Sequence, residues 1–229
     1  MCGNPSGAEA SDDDLTQAMP WIDQLRSANW IEASCVLLAA YILGCFTTGY
    51  YLGRARMGED PRELGSGSVG ARNVGRLLGW RGFLLTVFGD FGKGALAVWA
   101  AGYFATDDWL VALALLAVVT GHVWPAQLCF RGGKGMATSL GALLVYDWPL
   151  AVAFALLFAG GFAVLRKTVI PGLFALACLP LISAYLARGA AEVVGISALA
   201  GLVLIAHRKN LKTEFSNLGP TRNQDAPRA

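Results

Sequence analysis

The sequence predicts an all-α integral membrane protein of about seven transmembrane helices, with the N-terminus outside and the C-terminus cytoplasmic. Three observations carry this. Of 229 residues, 55% are hydrophobic and only 15% charged, where an average soluble domain carries roughly 25% charged residues. The apolar residues run almost continuously from 31 to 206, in blocks near the roughly 20 residues that a bilayer core demands. The basic residues fall in alternate connectors, as they do in cytoplasmic loops.

Spans are expected at 31–52, 83–104, 109–130, 136–148, 149–165, 169–186 and 193–206. The fourth is the shortest and reads as a short helix or a partial span. With the N-terminus outside, the cytoplasmic connectors hold Arg54, Arg56, Arg62, Arg72, Arg76 and Arg81, then Arg131 and Lys134, then Arg166 and Lys167, then the tail from Arg208. These are 15 of the 18 basic residues. The opposite side holds Asp107, Asp108, Asp147, Arg188 and Glu192, with Arg26 in the N-terminal segment. Residues 1–28 carry an acidic run at Asp12, Asp13 and Asp14 and no basic stretch leading into an apolar one. They read as a flexible polar extension, not a cleavable signal peptide. Residues 29–212 are the membrane domain, and 213–229 a flexible cytoplasmic tail. A net charge of +2 argues against a nucleic-acid partner. The five cysteines show no CxxC or Cys/His spacing, so neither a metal site nor a disulfide framework is expected.

Three expected cytoplasmic elements are unlike ordinary connectors. Residues 65–76 read GSGSVGARNVGR. Gly65, Gly67 and Gly70 let the backbone turn and approach a ligand closely, while Ser66, Arg72, Asn73 and Arg76 offer donors suited to phosphate oxygens. Residues 121–138 read GHVWPAQLCFRGGKGMAT. Here Gly132, Gly133 and Gly135 could present amides, Arg131 and Lys134 supply charge, and Thr138 adds a hydroxyl at the start of a helix, where the dipole favours anions. This is not the GxxxxGK[ST] nucleotide loop. The third element is His207-Arg208-Lys209-Asn210, in which His207 and Asn210 share a helix face and could address one ligand. His122, alone near the middle of a span, reads as a histidine bonding a neighbour's backbone. Asp90 and Lys93, within the second span at i, i+3, are either a structural ion pair or part of the anion site.

In this order and on one side of the membrane, these stretches resemble the bacterial acyl-phosphate:glycerol-3-phosphate acyltransferase family, PlsY. The similarity extends from about residue 43 to residue 210. GHVWPAQLCFRGGKGMATSLG resembles the family's second motif nearly residue for residue. GSGSVGARNVGR resembles the first, GSGNxGATNxxR, and HRKNL the start of the third, HRxNI. LGCFTTGYYLG, in the first span, is similar to the family's LGSIPFGYLIG. The resemblance implies a seven-span enzyme of the bacterial inner membrane with its site on the cytoplasmic side. Such an enzyme moves an acyl chain from acyl phosphate to the 1-hydroxyl of sn-glycerol 3-phosphate, forming lysophosphatidic acid, with no cofactor and no obligate protein partner. By matching positions it implies Ser66, Arg76, Lys134, His207 and Asn210 as the phosphate-binding and catalytic set, with Gly132 and Gly133 shaping the glycerol-phosphate site. The chain departs from the family where Ser68 replaces Asn, Arg72 replaces Thr, and KTVIPGL replaces KYVSLSS.

The chemistry suits these residues on its own terms. An acyl phosphate carries a good leaving group, so no protein nucleophile is needed and the task is orientation and charge stabilisation. The alternatives are the same donor with a different acceptor, and a non-catalytic phosphate-binding protein or small-anion transporter. Against the transporter, the sequence shows no internal repeat, and its basic loops cluster on one side.

Overall fold

The computed structural model describes residues 30–105 and 107–216, with side chains as far as Lys212. Among these residues every regular element is helical. They are α1 (Trp30–Cys45), α2 (Thr48–Met57), α3 (Ala71–Phe104), α4 (Asp108–Val123), α5 (Met136–Tyr146), α6 (Trp148–Leu165), α7 (Val169–Tyr185), α8 (Ala190–Ala206) and α9 (Arg208–Ser216), with a 3-10 turn at Ala126–Leu128. The chain divides into a unit ending at Cys35 and a second unit from Val36 onward, and the packing described below belongs to the second.

Four stretches are long and apolar enough to cross a bilayer: Trp30–Met57, Ala71–Phe104, Asp108–Leu128 and Trp148–Leu165. The apolar helices α5, α7 and α8 are shorter. At 1.5 Å per residue α5 is about 16 Å long, roughly half a hydrocarbon core. Two helices differ from the expected spans. The first span is broken, because α1 stops at Cys45 and α2 restarts at Thr48 after two non-helical residues. The second begins at Ala71 instead of 83, bent at Gly79, whose φ of 72° only glycine adopts readily inside a helix. Arg72, Arg76 and Arg81 made that first stretch look like a loop. α9 carries helix into the start of the expected tail; the rest of that tail and the 1–28 extension lie outside the described residues.

The core centres on α4. Leu115, Val118 and Val119 are fully enclosed there, with Leu143 of α5, Leu176 and Leu179 of α7 and Ile196, Leu199 and Val203 of α8 around them. Membrane helices gain little from apolar burial against one another, so small residues that let backbones approach do the packing. A Cβ on Gly44 of α1 would overlap the Val118 carbonyl, and one on Gly121 of α4 the Tyr41 carbonyl. Gly94 and Gly141 play the same part between α3 and α5, against the carbonyls of Thr138 and Phe91. α6 buries little of itself, as a lipid-facing helix would.

Two clusters of connectors mark two ends of this helical unit. At one end Arg62 donates to the Leu128 carbonyl and Lys134 reaches Asn210. At the other, Arg188 pairs with Asp147 at 2.8 Å. A cavity of about 480 Å³ there is lined by Trp99, Tyr103, Tyr146, Asp108 and Glu192.

Candidate active site

The site grows from a broken helix. α1 ends with carbonyls that no following turn of helix satisfies, which inside a membrane demands other donors. Lys93 of α3 supplies them: its buried ammonium donates to Gly44 O at 2.8 Å and Phe46 O at 2.7 Å. Gln127 Nε2 donates to Cys45 O. On the far side of the break, the first amide of α2, Thr48 N–H, donates to Asp90 Oδ1 at 3.2 Å. Asp90 also pairs with Lys93 at 3.2 Å, and His122 Nδ1 lies 2.8 Å from the Lys93 ammonium. Lys93 thus spends its donors on the helix break and His122, in keeping with the structural ion pair, one of the two readings that its spacing from Asp90 leaves open.

The first glycine-rich loop is organised by Asn73, which is buried. Its Oδ1 accepts Ser66 N–H at 2.8 Å, and its Nδ2 donates to Pro61 O, Leu64 O and Ser68 O at 3.0, 3.1 and 2.8 Å. Asn73, expected to address phosphate, is consumed by the loop. Gly65, at φ 58°, passes so close that a Cβ would overlap Asn73 Oδ1. Gly67 N–H donates to Leu64 O at 3.1 Å. Ser68 Oγ accepts Gly70 N–H at 3.1 Å, fixing the entry to α3. Ser66, Arg72 and Arg76 are exposed.

The second loop corrects a further expectation. Gly132 N–H donates to Val123 O at 3.1 Å and Gly133 N–H to His122 O at 3.0 Å. These amides cap the last turn of α4 and are not free for an anion. What the two glycines contribute is closeness: a Cβ on Gly132 would overlap the His122 carbonyl, and one on Gly133 would overlap His122 Nε2. Gly135, at φ 83°, turns the chain into α5, where its carbonyl accepts Ser139 N–H at 2.7 Å. Thr138 is fully buried, so its hydroxyl is not offered to a ligand at the loop surface. Arg131 is exposed, and its carbonyl accepts from Arg62 at 3.3 Å.

Sequence reasoning counted Arg62 only as a positive charge. Its guanidinium holds Asp60 at 2.6 Å, donates to Leu128 O at 2.9 Å and lies 5.2 Å from the Tyr50 ring centre. It therefore ties the first loop to the second beside Cys129 and Phe130, two non-glycine residues at φ 53° and 59°. The Asp-x-Arg pair two residues apart was the available signal. Arg62 hydrogen bonds hold the Asp60 carboxyl below the usual carboxylate range.

At the meeting of these loops, Lys134 Nζ donates to Asn210 Oδ1 at 2.7 Å. His207 lies buried beside them, its Nδ1 2.9 Å from Val203 O. That carbonyl can only accept, so Nδ1 carries the proton and a neutral ring keeps Nε2 as its basic nitrogen. Burial lowers the affinity of His207 for a second proton; the Val203 bond opposes this and the Lys134 charge adds to it. Burial, then the Arg72 charge, lowers Lys134 from the ordinary lysine range. Of the expected catalytic set, the structure gathers Lys134, His207 and Asn210, with Arg72 alongside. Ser66 and Arg76 make no hydrogen bond to this group among the described residues.

The chain matches the family model described as glycerol-3-phosphate acyltransferase over residues 34–217. It is 45% identical over 177 residues to glycerol-3-phosphate acyltransferase 1 of Desulfitobacterium hafniense (strain Y51), covering 77% of this chain and 88% of that one. It is 38% identical over 197 residues to the glycerol-3-phosphate acyltransferase of Parasynechococcus marenigrum (strain WH8102), covering 86% and 92%. Its fold is similar to the crystal structure of PlsY (YgiH), an integral membrane glycerol 3-phosphate acyltransferase, in its glycerol 3-phosphate form. The TM-score is 0.75 at 31% identity, covering 81% of this chain and 92% of that one. The lysophosphatidic acid form of PlsY gives 0.73 at 29% identity over the same shares. The match over residues 34–217 and the 45% identity to a covered relative show that the chain belongs to the glycerol-3-phosphate acyltransferase family.

Proposed function

We infer that this protein transfers an acyl group to glycerol 3-phosphate and releases lysophosphatidic acid for phospholipid synthesis, with acyl phosphate as the donor. The observation that carries this is the convergence of Lys134, Asn210, His207 and Arg72 from three separate stretches of sequence on one place. Two phosphorylated substrates need concentrated positive charge, and the Arg72 charge sits close enough to Lys134 to disfavour its protonation. The acceptor hydroxyl attacks the acyl carbonyl carbon, a new ester C–O bond forms, and the acyl C–O bond to phosphate breaks. His207 Nε2 takes the hydroxyl proton and phosphate leaves as the anion, stabilised by Lys134. No covalent intermediate on the protein is required.

The apolar helices fit seven membrane segments, with α5 a partial one, in a bacterial inner membrane. An outside N-terminus places the Lys134 end in the cytoplasm, consistent with the excess of Lys and Arg in those loops. A purified sample in detergent, given acyl phosphate, should release phosphate only when glycerol 3-phosphate is present and should yield lysophosphatidic acid by mass spectrometry. Equal phosphate release without the acceptor would sink the transferase reading, and transfer to other polyols but not glycerol 3-phosphate would replace the acceptor.

A further inference from the structure

The polar groups at the break between α1 and α2 lead, through one side chain, to the lysine at the centre of the site. His122 is 3% exposed and is the penultimate residue of α4. Its Nδ1 lies 2.8 Å from the Lys93 ammonium, which has only protons to give, so Nδ1 accepts and the ring proton belongs on Nε2. The Nε2 corner of the ring faces the α carbon of Gly133, where a Cβ would overlap it. The carbonyl of the same histidine accepts Gly133 N–H at 3.0 Å. Gly133 is therefore held from two directions by His122, and the next residue is Lys134, whose ammonium reaches Asn210 at 2.7 Å. Lys93 itself gives two protons to Gly44 O and Phe46 O, with Asp90 as its counter-charge at 3.2 Å, and its third proton goes to Nδ1, so rotating the imidazole would strip a buried ammonium of an acceptor.

We propose that His122, braced by Lys93 and Asp90, is a positioning residue for Lys134: its ring sets where Gly133 lies and so where the lysine enters the site. The proposal rests on the functional reading above, in which Lys134 meets the substrate phosphates. Misplacing a charged group by about 1 Å costs on the order of a hundredfold in rate, whereas loss of a merely structural contact lowers stability and leaves the ratio between variants untouched.

Two variants approach the contact from opposite sides. His122→Asn keeps an oxygen near the Nδ1 position for Lys93 but removes the ring from Gly133. Gly133→Ala leaves the cage around Lys93 whole and pushes the loop off the ring. Each should lower kcat/KM roughly tenfold to a hundredfold in protein that elutes as folded in detergent. Each should also change the rate at which Lys134 is modified by an amine-reactive acylating reagent, followed by mass spectrometry. In a Lys134→Ala background, neither substitution should move the residual rate by more than about twofold, because groups acting through one residue are not additive. Unchanged labelling of Lys134 in the folded variants, or the same loss in both backgrounds, would overturn the proposal. The labelling arm needs no turnover, so it decides the matter even if acyl transfer to glycerol 3-phosphate fails.

Discussion

Lys134 and Asn210, 76 positions apart in sequence, meet through a 2.7 Å hydrogen bond between Nζ and Oδ1. The amide orients the ammonium, which in the proposed reaction is the charge that stabilises the leaving phosphate. Lys134→Ala should lower kcat by about a hundredfold to a thousandfold, the range for removing one preorganised electrostatic group. Asn210→Ala, which leaves the charge but frees its aim, should cost nearer tenfold. Phosphate release from acyl phosphate with saturating glycerol 3-phosphate measures both.

The pH profile should be a bell with both limbs displaced to lower pH. His207 acts as a base only when neutral, and burial lowers its pKa from the ordinary 6.5, so activity falls as pH drops through a value below 6.5. Lys134 must be charged, and its pKa lies below the ordinary 10.5, so the alkaline limb also arrives early. The Lys134 charge depresses His207, so in Lys134→Met the acid limb of the residual activity should move to higher pH. An acid limb that stays put would sever the two groups.

Asn73→Ala strips partners from one amide and three carbonyls at once. At about 0.5–1.5 kcal/mol per net hydrogen bond, the loss should come to roughly 2–6 kcal/mol, visible as a lower Tm in detergent. KM for glycerol 3-phosphate should rise as the loop loosens. Asn73→Asp should do no better, because it turns a carboxylate oxygen toward three carbonyl oxygens.

Arg62→Met should free the second loop from the first. Left-handed residues such as Cys129 and Phe130 cost roughly 1–2 kcal/mol each, and the bond to Leu128 O helps to hold them. The expected outcome is faster proteolytic nicking within residues 124–135 together with a fall in kcat/KM. Arg62→Lys should rescue little, since an ammonium cannot form the fork that grips Asp60 and the loop together. Because the Asp60 pKa is lowered, the tie holds above the ordinary carboxylate range and is lost only as pH falls through that depressed value.

The helices were largely legible because an apolar run has few alternatives in a membrane. What escaped was where backbone polar groups find partners. Phe46 and Thr47 lie in an apolar stretch that gives no sign of a break, since the donor and acceptor that stabilise it come from Lys93 and Asp90 on another helix. The glycine-rich loops stood out as places of close approach, and that holds for Gly132 and Gly133. Their amides could not be assigned from sequence, because composition says that backbone may come near and not what it comes near to. Asn73 shows the same gap: a polar residue in a glycine-rich loop serves the loop before it serves a ligand. Lys134 stood out by its glycine-rich setting, and His207 and Asn210 by their shared helix face and the family resemblance; the structure brings Lys134 and Asn210 together.

The break between α1 and α2 also bears on how the chain enters the bilayer. Its first hydrophobic segment leaves the ribosome with a gap in its backbone ladder whose partners, Asp90 and Lys93, have yet to be synthesised. Released alone into lipid, that segment would carry unsatisfied carbonyls, and the following one would carry a bare charge pair, each costing several kcal/mol. Together they cancel. The two segments are thus built to partition as a hairpin, and a Lys93→Leu chain, more hydrophobic by any scale, should insert its first segment less completely.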